Sequence, residues 1–326
     1  MKKILTVMLT VLLAVSLAGC SFDSLGDYRK AAEKTDQIKK GQMEGAFSVV
    51  MDFNTAGMTE EQVKELNYFK EMKGNFSAAY DDEEGKGIFR NYLNFGGLGF
   101  DFDLFVNGEE MFVKLPILGK YMEFDKMQQA EGASGIISKE TENELSAKWL
   151  GLLNKEDVFK GKDIVLTTPD GEVKTKEYTI KLNNDQIKVL AEECMDIVSR
   201  DEKLKENYEK YIKKSTKQLE DISLEKLISS IKEEIKNYRV ENFSYTAHVD
   251  IDGYIVNEVI EVYVKAENRE PTGMNDLNYR LELKNWDINK KQEFEFPVLT
   301  EENTMNIDKM NQNMPFMIDN LFDNKD

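Results

Sequence analysis

Alternation is the most regular feature of the chain. Phe47, Val49, Met51 and Phe53 fall on one side of an extended segment, with Ala46, Ser48 and Asp52 on the other. A second run begins at Phe76, Ala78 and Tyr80. The strongest is Leu98, Phe100, Phe102, Leu104 and Val106, interleaved with Gly99, Asp101, Asp103 and Asn107. Period-two alternation of this quality predicts strands with one buried and one wetted face, the mark of antiparallel sheet. Asn107-Gly108, Asp170-Gly171 and Asp252-Gly253 each separate two such runs. Asx-Gly tolerates the positive φ of a type I′ turn, so three hairpins are predicted. Late strands are expected at 277–283 and 294–298. Parallel α/β architecture is excluded.

Helical spacing interrupts this pattern. A first helix is expected over 28–40, with Gly41 just past its end. Thr141-x-x-Glu144 reads as a capping box ahead of Leu145 and Trp149. Asn183-x-x-Gln186 opens a periodic segment that would run about 43 Å unbroken, so a break is expected near Arg200-Asp201-Glu202. Ser223 caps a helix striped by Leu224, Leu227, Ile228, Ile231 and Ile235. The tail from Asn303 reads as loop or weak helix. The resulting order is helix, six strands, helix, two strands, two long helices and four strands. It predicts one α+β domain over 28–326, a curved, mainly antiparallel sheet wrapped around helices, with a helical insertion at 183–238.

A short helix is also expected between the first two strands. Thr59-x-x-Gln62 is a capping box and Met58 is placed to staple onto Val63. Val63, Leu66, Phe69 and Met72 would form its apolar stripe, between Gly57 and Gly74. Such a helix suits a movable lid over a groove; the competing expectation is a helix packed permanently on the sheet.

The first twenty residues carry an export signal. Lys2 and Lys3 precede an apolar run from Ile4 to Val15, too short to stay in a bilayer as a span. Leu17-Ala18-Gly19-Cys20 then resembles the bacterial lipobox, which implies removal of residues 1–19, diacylglyceryl attachment at Cys20 and a tether over 20–27. Two acyl chains hold far more firmly than one. Cys194, the second of two cysteines, is then left without a partner and reads as a small core hydrophobe. The 326 residues hold 43 Lys+Arg against 61 Asp+Glu, a net charge of −18, which repels nucleic acid. A hydrophobic fraction of 41% is ample for a packed core.

Catalytic chemistry finds little support. His248 is the sole histidine and falls in the outward set Ser244, Thr246, His248 and Asp250, so it is expected to be exposed. One histidine and one free cysteine do not complete a zinc site. Gly132-Ala133-Ser134-Gly135 lacks the spacing of a nucleophile elbow, and Gly96-Gly97-Leu98-Gly99 lacks the helix of a phosphate loop. Asp101 with Asp103, and the run Asp81 to Glu84, read as solubility and edge protection rather than an acid–base pair. Asp250-x-Asp252-Gly253 lacks the glutamate of a calcium loop. Met310, Met314 and Met317 read as gap-fillers before copper ligands. No enzyme, metal or cofactor is expected.

The lipobox, the opening helix and a strand meander containing Phe105-Val106-Asn107-Gly108-Glu109-Glu110-Met111-Phe112-Val113-Lys114-Leu115-Pro116 together resemble the LolA-like lipoproteins. That resemblance implies an unclosed β half-barrel holding lipid or acyl chains. The groove would be lined by Phe47, Val49, Met51, Phe100, Phe102 and Leu104. The expected role is a membrane-anchored extracytoplasmic lipoprotein binding a lipid, an acyl chain or a hydrophobic partner segment. The alternative is a structural or assembly lipoprotein of the envelope, with an envelope protein as partner, a filled core and no small ligand.

Overall fold

In the computed structural model, which describes residues 23–116, 119–124, 137–169, 171–209, 222–267 and 273–306, the alternating runs become one ladder. The first meander is β1 (Lys40–Asn54), β2 (Glu71–Asp81), β3 (Lys86–Phe95), β4 (Leu98–Asn107), β5 (Glu110–Leu115) and β6 (Lys120–Phe124). The second is β7 (Val158–Thr168), β8 (Gly171–Ile180), β9 (Tyr238–Asp250), β10 (Ile255–Ala266) and β11 (Gly273–Trp286), with a short β12 (Thr304–Asn306) after it. The spatial order is β12-β6-β5-β4-β3-β2-β1-β11-β10-β9-β8-β7. Every neighbouring pair is antiparallel except β12 with β6. The two meanders therefore join where β1 pairs with β11, and the outermost strands do not pair with each other. The fold is the expected α+β half-barrel, a mainly antiparallel sheet left unclosed.

Six helices are described: α1 (Ser24–Thr35), α2 (Glu60–Asn67), α3 (Lys139–Leu152), α4 (Asn184–Ser199), α5 (Glu202–Asn207) and α6 (Leu224–Ile235). The main core forms where α1 and α3 lie on the β8–β9 side of the sheet. Leu25, Tyr28, Ala31 and Ala32 of α1 meet Tyr178, Ile180, Tyr245 and Ala247. Trp149 of α3 stacks edge-on to Tyr245 at 5.5 Å, and its Nε1–H donates to Tyr28 Oη at 2.8 Å. Arg29 donates to the carbonyls of Leu150 and Leu153 at 2.9 and 3.1 Å, satisfying acceptors that the end of α3 leaves open. A second core unites α4, α5 and α6 around Tyr208, Leu224 and Ile228.

Several expectations shift. The first helix starts at Ser24 rather than Tyr28 and buries Leu25, so folded structure reaches into the expected tether. Helix α3 is capped by Ser138, whose hydroxyl accepts from the Thr141 N–H at 3.2 Å, so Thr141 is the third helical residue and not the cap. The Asn183–Gln186 box forms as expected, and the break falls between Ser199 and Glu202 with Asp201 capping α5. The hairpins form as expected, but not on type I′ turns. Gly108 alone has positive φ (+62°) in its turn, which suits the first central position of type II′. The turn with two positive φ values is Gly96-Gly97, at +55° and +93°.

The segment 294–298 is not a strand. Phe294, Phe296 and Leu299 instead lie as a strap against Ile88, Phe105, Phe112 and Tyr121, on the face opposite the helices. The tail contributes β12 in place of the expected loop or helix. Residues 1–22 with Cys20, Gly132 to Gly135, Asp170, Met310, Met314 and Met317 lie outside the described residues.

Candidate functional site

The register puts all six expected groove residues on one side of the sheet, the side that carries α1 and α3. Phe47 lies opposite Gly74 and Leu281, and Val49 opposite Met72 and Tyr279. Met51 faces Leu277, Phe100 faces Leu93, Phe102 faces Asn91, and Leu104 faces Phe89. On β10, Ile260 and Val262 extend the same surface past Leu281 and Tyr279. This apolar surface is wide and incompletely covered. Phe100 is 46% exposed and Leu98 49%, while Phe47, Val49, Met51, Phe102 and Leu104 are half-buried. The helices that close the β8–β9 region leave β11 and β1–β4 open among the described residues.

The expected lid is smaller than its stripe. The capping box forms, with Thr59 Oγ1 accepting from Gln62 N at 3.2 Å and Gln62 Oε1 accepting from Thr59 N at 3.0 Å. But α2 ends at Asn67. Val63 and Leu66 ride on it half-buried, Phe69 lies beyond its end at 44% exposure, and Met72 belongs to β2, opposite Val49 and Phe95. The reason is competition from the ladder: Met51 N–H donates to the Lys70 carbonyl at 2.8 Å, so the chain is already paired before a third turn forms. No residue of α2 is fully buried, so it is not core either.

A cavity opens on the other face. It has a volume of about 510 Å³ and is joined through Ala46, Asn75, Tyr92 and Glu282 to a second of about 310 Å³. Short residues at mid-sheet (Gly45, Ala46, Ser77) form a floor, and long polar side chains of β11, β1, β3 and β4 rise around it. Asp101 and Asp103, expected on the solvent face, line this trough with Arg90. Lys284 donates to Glu44 at 3.0 Å, and Arg280 to Glu282 at 3.2 Å.

His248 corrects the expectation of exposure: it is 7% exposed. It does lie on the polar face, between Glu177 and Asn257 in the register. Its Nδ1 is 2.9 Å from Asn257 Oδ1 and its Nε2 is 3.6 Å from Glu177 Oε2. Asn257 Nδ2 donates to Glu282 Oε1 at 3.3 Å and to the Leu283 carbonyl at 3.2 Å, so its Oδ1 must be the acceptor and His248 Nδ1 carries the hydrogen. A buried line from His248 through Asn257 thus orients Glu282 at the trough wall. Sequence reasoning missed this because Asn257 signals nothing until β10 is set beside β9 and β11.

Two carboxyls on the helical side are shifted in opposite directions. Burial pushes the Glu258 carboxyl up, against the opposing effect of the hydrogen bond from Tyr245 Oη. Burial of Asp201 acts the same way, but hydrogen bonds from the Ser138 and Thr141 hydroxyls and the Leu204 and Ser138 N–H groups outweigh it and lower its pKa to about 2. Burial also pushes the Cys194 thiol up, in keeping with an inert half-buried side chain on α4.

No family model matches the chain, and no curated protein does. Among solved structures it is similar to a LolA-superfamily protein from Nitrosomonas europaea, at 8% identity and a TM-score of 0.21, covering 86% of this chain and 97% of that one. It is similar also to a DUF1329-family protein from Desulfovibrio piger, at 8% identity and a TM-score of 0.20, covering 83% and 95%.

Proposed function

We propose that the protein is a membrane-anchored extracytoplasmic lipoprotein, held through a diacylglyceryl group on Cys20, that binds a lipid, an acyl chain or an apolar partner segment on its open sheet face. One observation carries the binding role: Phe47, Val49, Met51, Phe100, Phe102 and Leu104 share a continuous surface that the described helices leave uncovered. Contiguous exposed apolar surface is costly in water and marks interaction sites. The role proposed is binding. Anchoring rests on Leu17-Ala18-Gly19-Cys20.

Native mass spectrometry of the purified protein, followed by organic extraction, tests the ligand. Co-purifying lipid released by solvent is expected. Its absence after expression in several bacterial hosts would favour the alternative, an assembly lipoprotein without a small ligand. Cys20→Ala should abolish incorporation of radioactive palmitate, and persistent labelling would sink the anchor.

A further inference from the structure

The trough on the polar face differs from an ordinary wet sheet surface in three ways. Its charges balance: Glu44, Asp101, Asp103 and Glu282 against Arg90, Lys284, Lys73 and Arg280 across the two joined cavities. In a chain of net charge −18, local neutrality disfavours both a polyanion and a simple cation as occupant. Three of its eight charged groups are also uncommitted. Arg90 and Asp103 are direct cross-strand partners, yet among the described residues no ion pair or hydrogen bond occupies the charged ends of Arg90, Asp101 or Asp103. Donors and acceptors therefore stand side by side, free for a ligand that needs both.

Third, an aromatic ring is laid into the trough. Tyr92 lines both cavities and lies across Gly99, where a Cβ would come within 2.7 Å of Tyr92 Oη and 2.9 Å of its Cε2. Only glycine leaves that space, and Asn94 Nδ2 steadies the ring by donating to Oη at 3.1 Å. From β11 to β4 the trough crosses five strands, about 19 Å. The wall opposite Tyr92 is also fixed, because buried Asn257 holds Glu282 in place.

We infer that this trough is a binding site for a neutral oligosaccharide, separate from the apolar face. An uncharged sugar offers vicinal hydroxyls that both donate and accept, matching Arg90 beside Asp101 and Asp103, and an apolar C–H face that matches the face of an aromatic ring.

Saturation-transfer NMR and titration calorimetry with chitotetraose and cellotetraose test the assignment on the purified full chain. Binding of at least one is expected at millimolar affinity or better, weakened about tenfold or more by Tyr92→Ala, which is 1.4 kcal/mol. Tyr92→Phe should retain binding, since the ring remains. If Tyr92→Ala fails to fold, Asp101→Asn with Asp103→Asn gives the same reading from positions that are not buried. No transfer to either sugar at about 5 mM, a concentration that detects millimolar affinity, would overturn the inference. So would unchanged affinity in the variants, or preferential binding of tetra-alanine, a zwitterionic peptide. Failure here is distinct from failure of the acyl site: sugar binding should survive Phe100→Ser, and lipid binding should survive Tyr92→Ala.

Discussion

The apolar face of this sheet is one surface with two fates. Over β8 and β9, helices α1 and α3 press on it until Ile180 and Ala247 are wholly buried. Over β11 and β1–β4, residues of the same type at equivalent places in the ladder stay half-exposed. The strand pattern is equally apolar in both regions. What differs is what lies on top: Tyr28 and Trp149 in one case, and no described helix in the other. Alternation thus reports which way a side chain points, and a second element decides whether that direction is interior. Stability concentrates in the closed region, and the proposed binding surface lies in the open one.

The largest effect should come from truncating the closed region. Ile180→Ala should cost about 2–5 kcal/mol, because its neighbours on α1 and β9 cannot collapse into the space. Leu281→Ala, on the open part of the same face, should cost about 1 kcal/mol, since it loses only partial burial. Urea unfolding of both variants measures the difference. Equal losses would mean that the open region is in fact covered.

Next is acid sensitivity, which belongs to the closed region through Asp201. Its pKa is held near 2 in the folded protein, below the ordinary carboxylate value. A depressed folded pKa gives stability that is fully present above about pH 4 and is lost as pH falls from there towards 2. The contribution is about 1–2 kcal/mol. Asp201→Asn should remove it, so the pH dependence of thermal unfolding between about pH 4 and 2 should flatten. A variant that retains the full wild-type slope would show that Asp201 does not clamp α3 to α5.

The smallest effect on folding is expected at Phe100. Because the ring is 46% exposed, Phe100→Ser should change stability by no more than about 0.5 kcal/mol. Its effect should appear instead in reduced uptake of a fluorescent fatty acid. Loss of stability without loss of uptake would invert the comparison, making the open region structural.

Much of the fold was legible in single residues. The faces of β1 and β4, all three Asx-Gly hairpins and the capping boxes at Thr59 and Asn183 follow from local rules, and each acts within a few residues of chain. The turn types were not, because φ at Asn107 depends on how the flanking ladder twists as well as on the residue. Phe294 and Phe296 imitate a strand by alternating, but the edge they would need is taken, so they pack as a strap. Phe69 and Met72 imitate a helical stripe for the same reason in reverse: β1 claims the chain from Lys70 onward.

By itself the sequence determined what local chemistry can determine: strand phase, most helix caps and a net charge of −18. Tertiary structure decided the rest. Joining β1 to β11 unites two meanders through pairs 219 to 244 residues apart in the chain (Asn54 beside Gly273, Gln42 beside Trp286), and no local pattern encodes that pairing. The same pairing places Glu282 and Lys284 next to Glu44 and Ala46, and so creates the trough. The pairing of β9 with β10 and β8 sets His248 between Asn257 and Glu177, burying a histidine that alternation had turned towards water. Side-chain direction is a property of one strand, whereas burial and cavity depth are properties of what its neighbours carry.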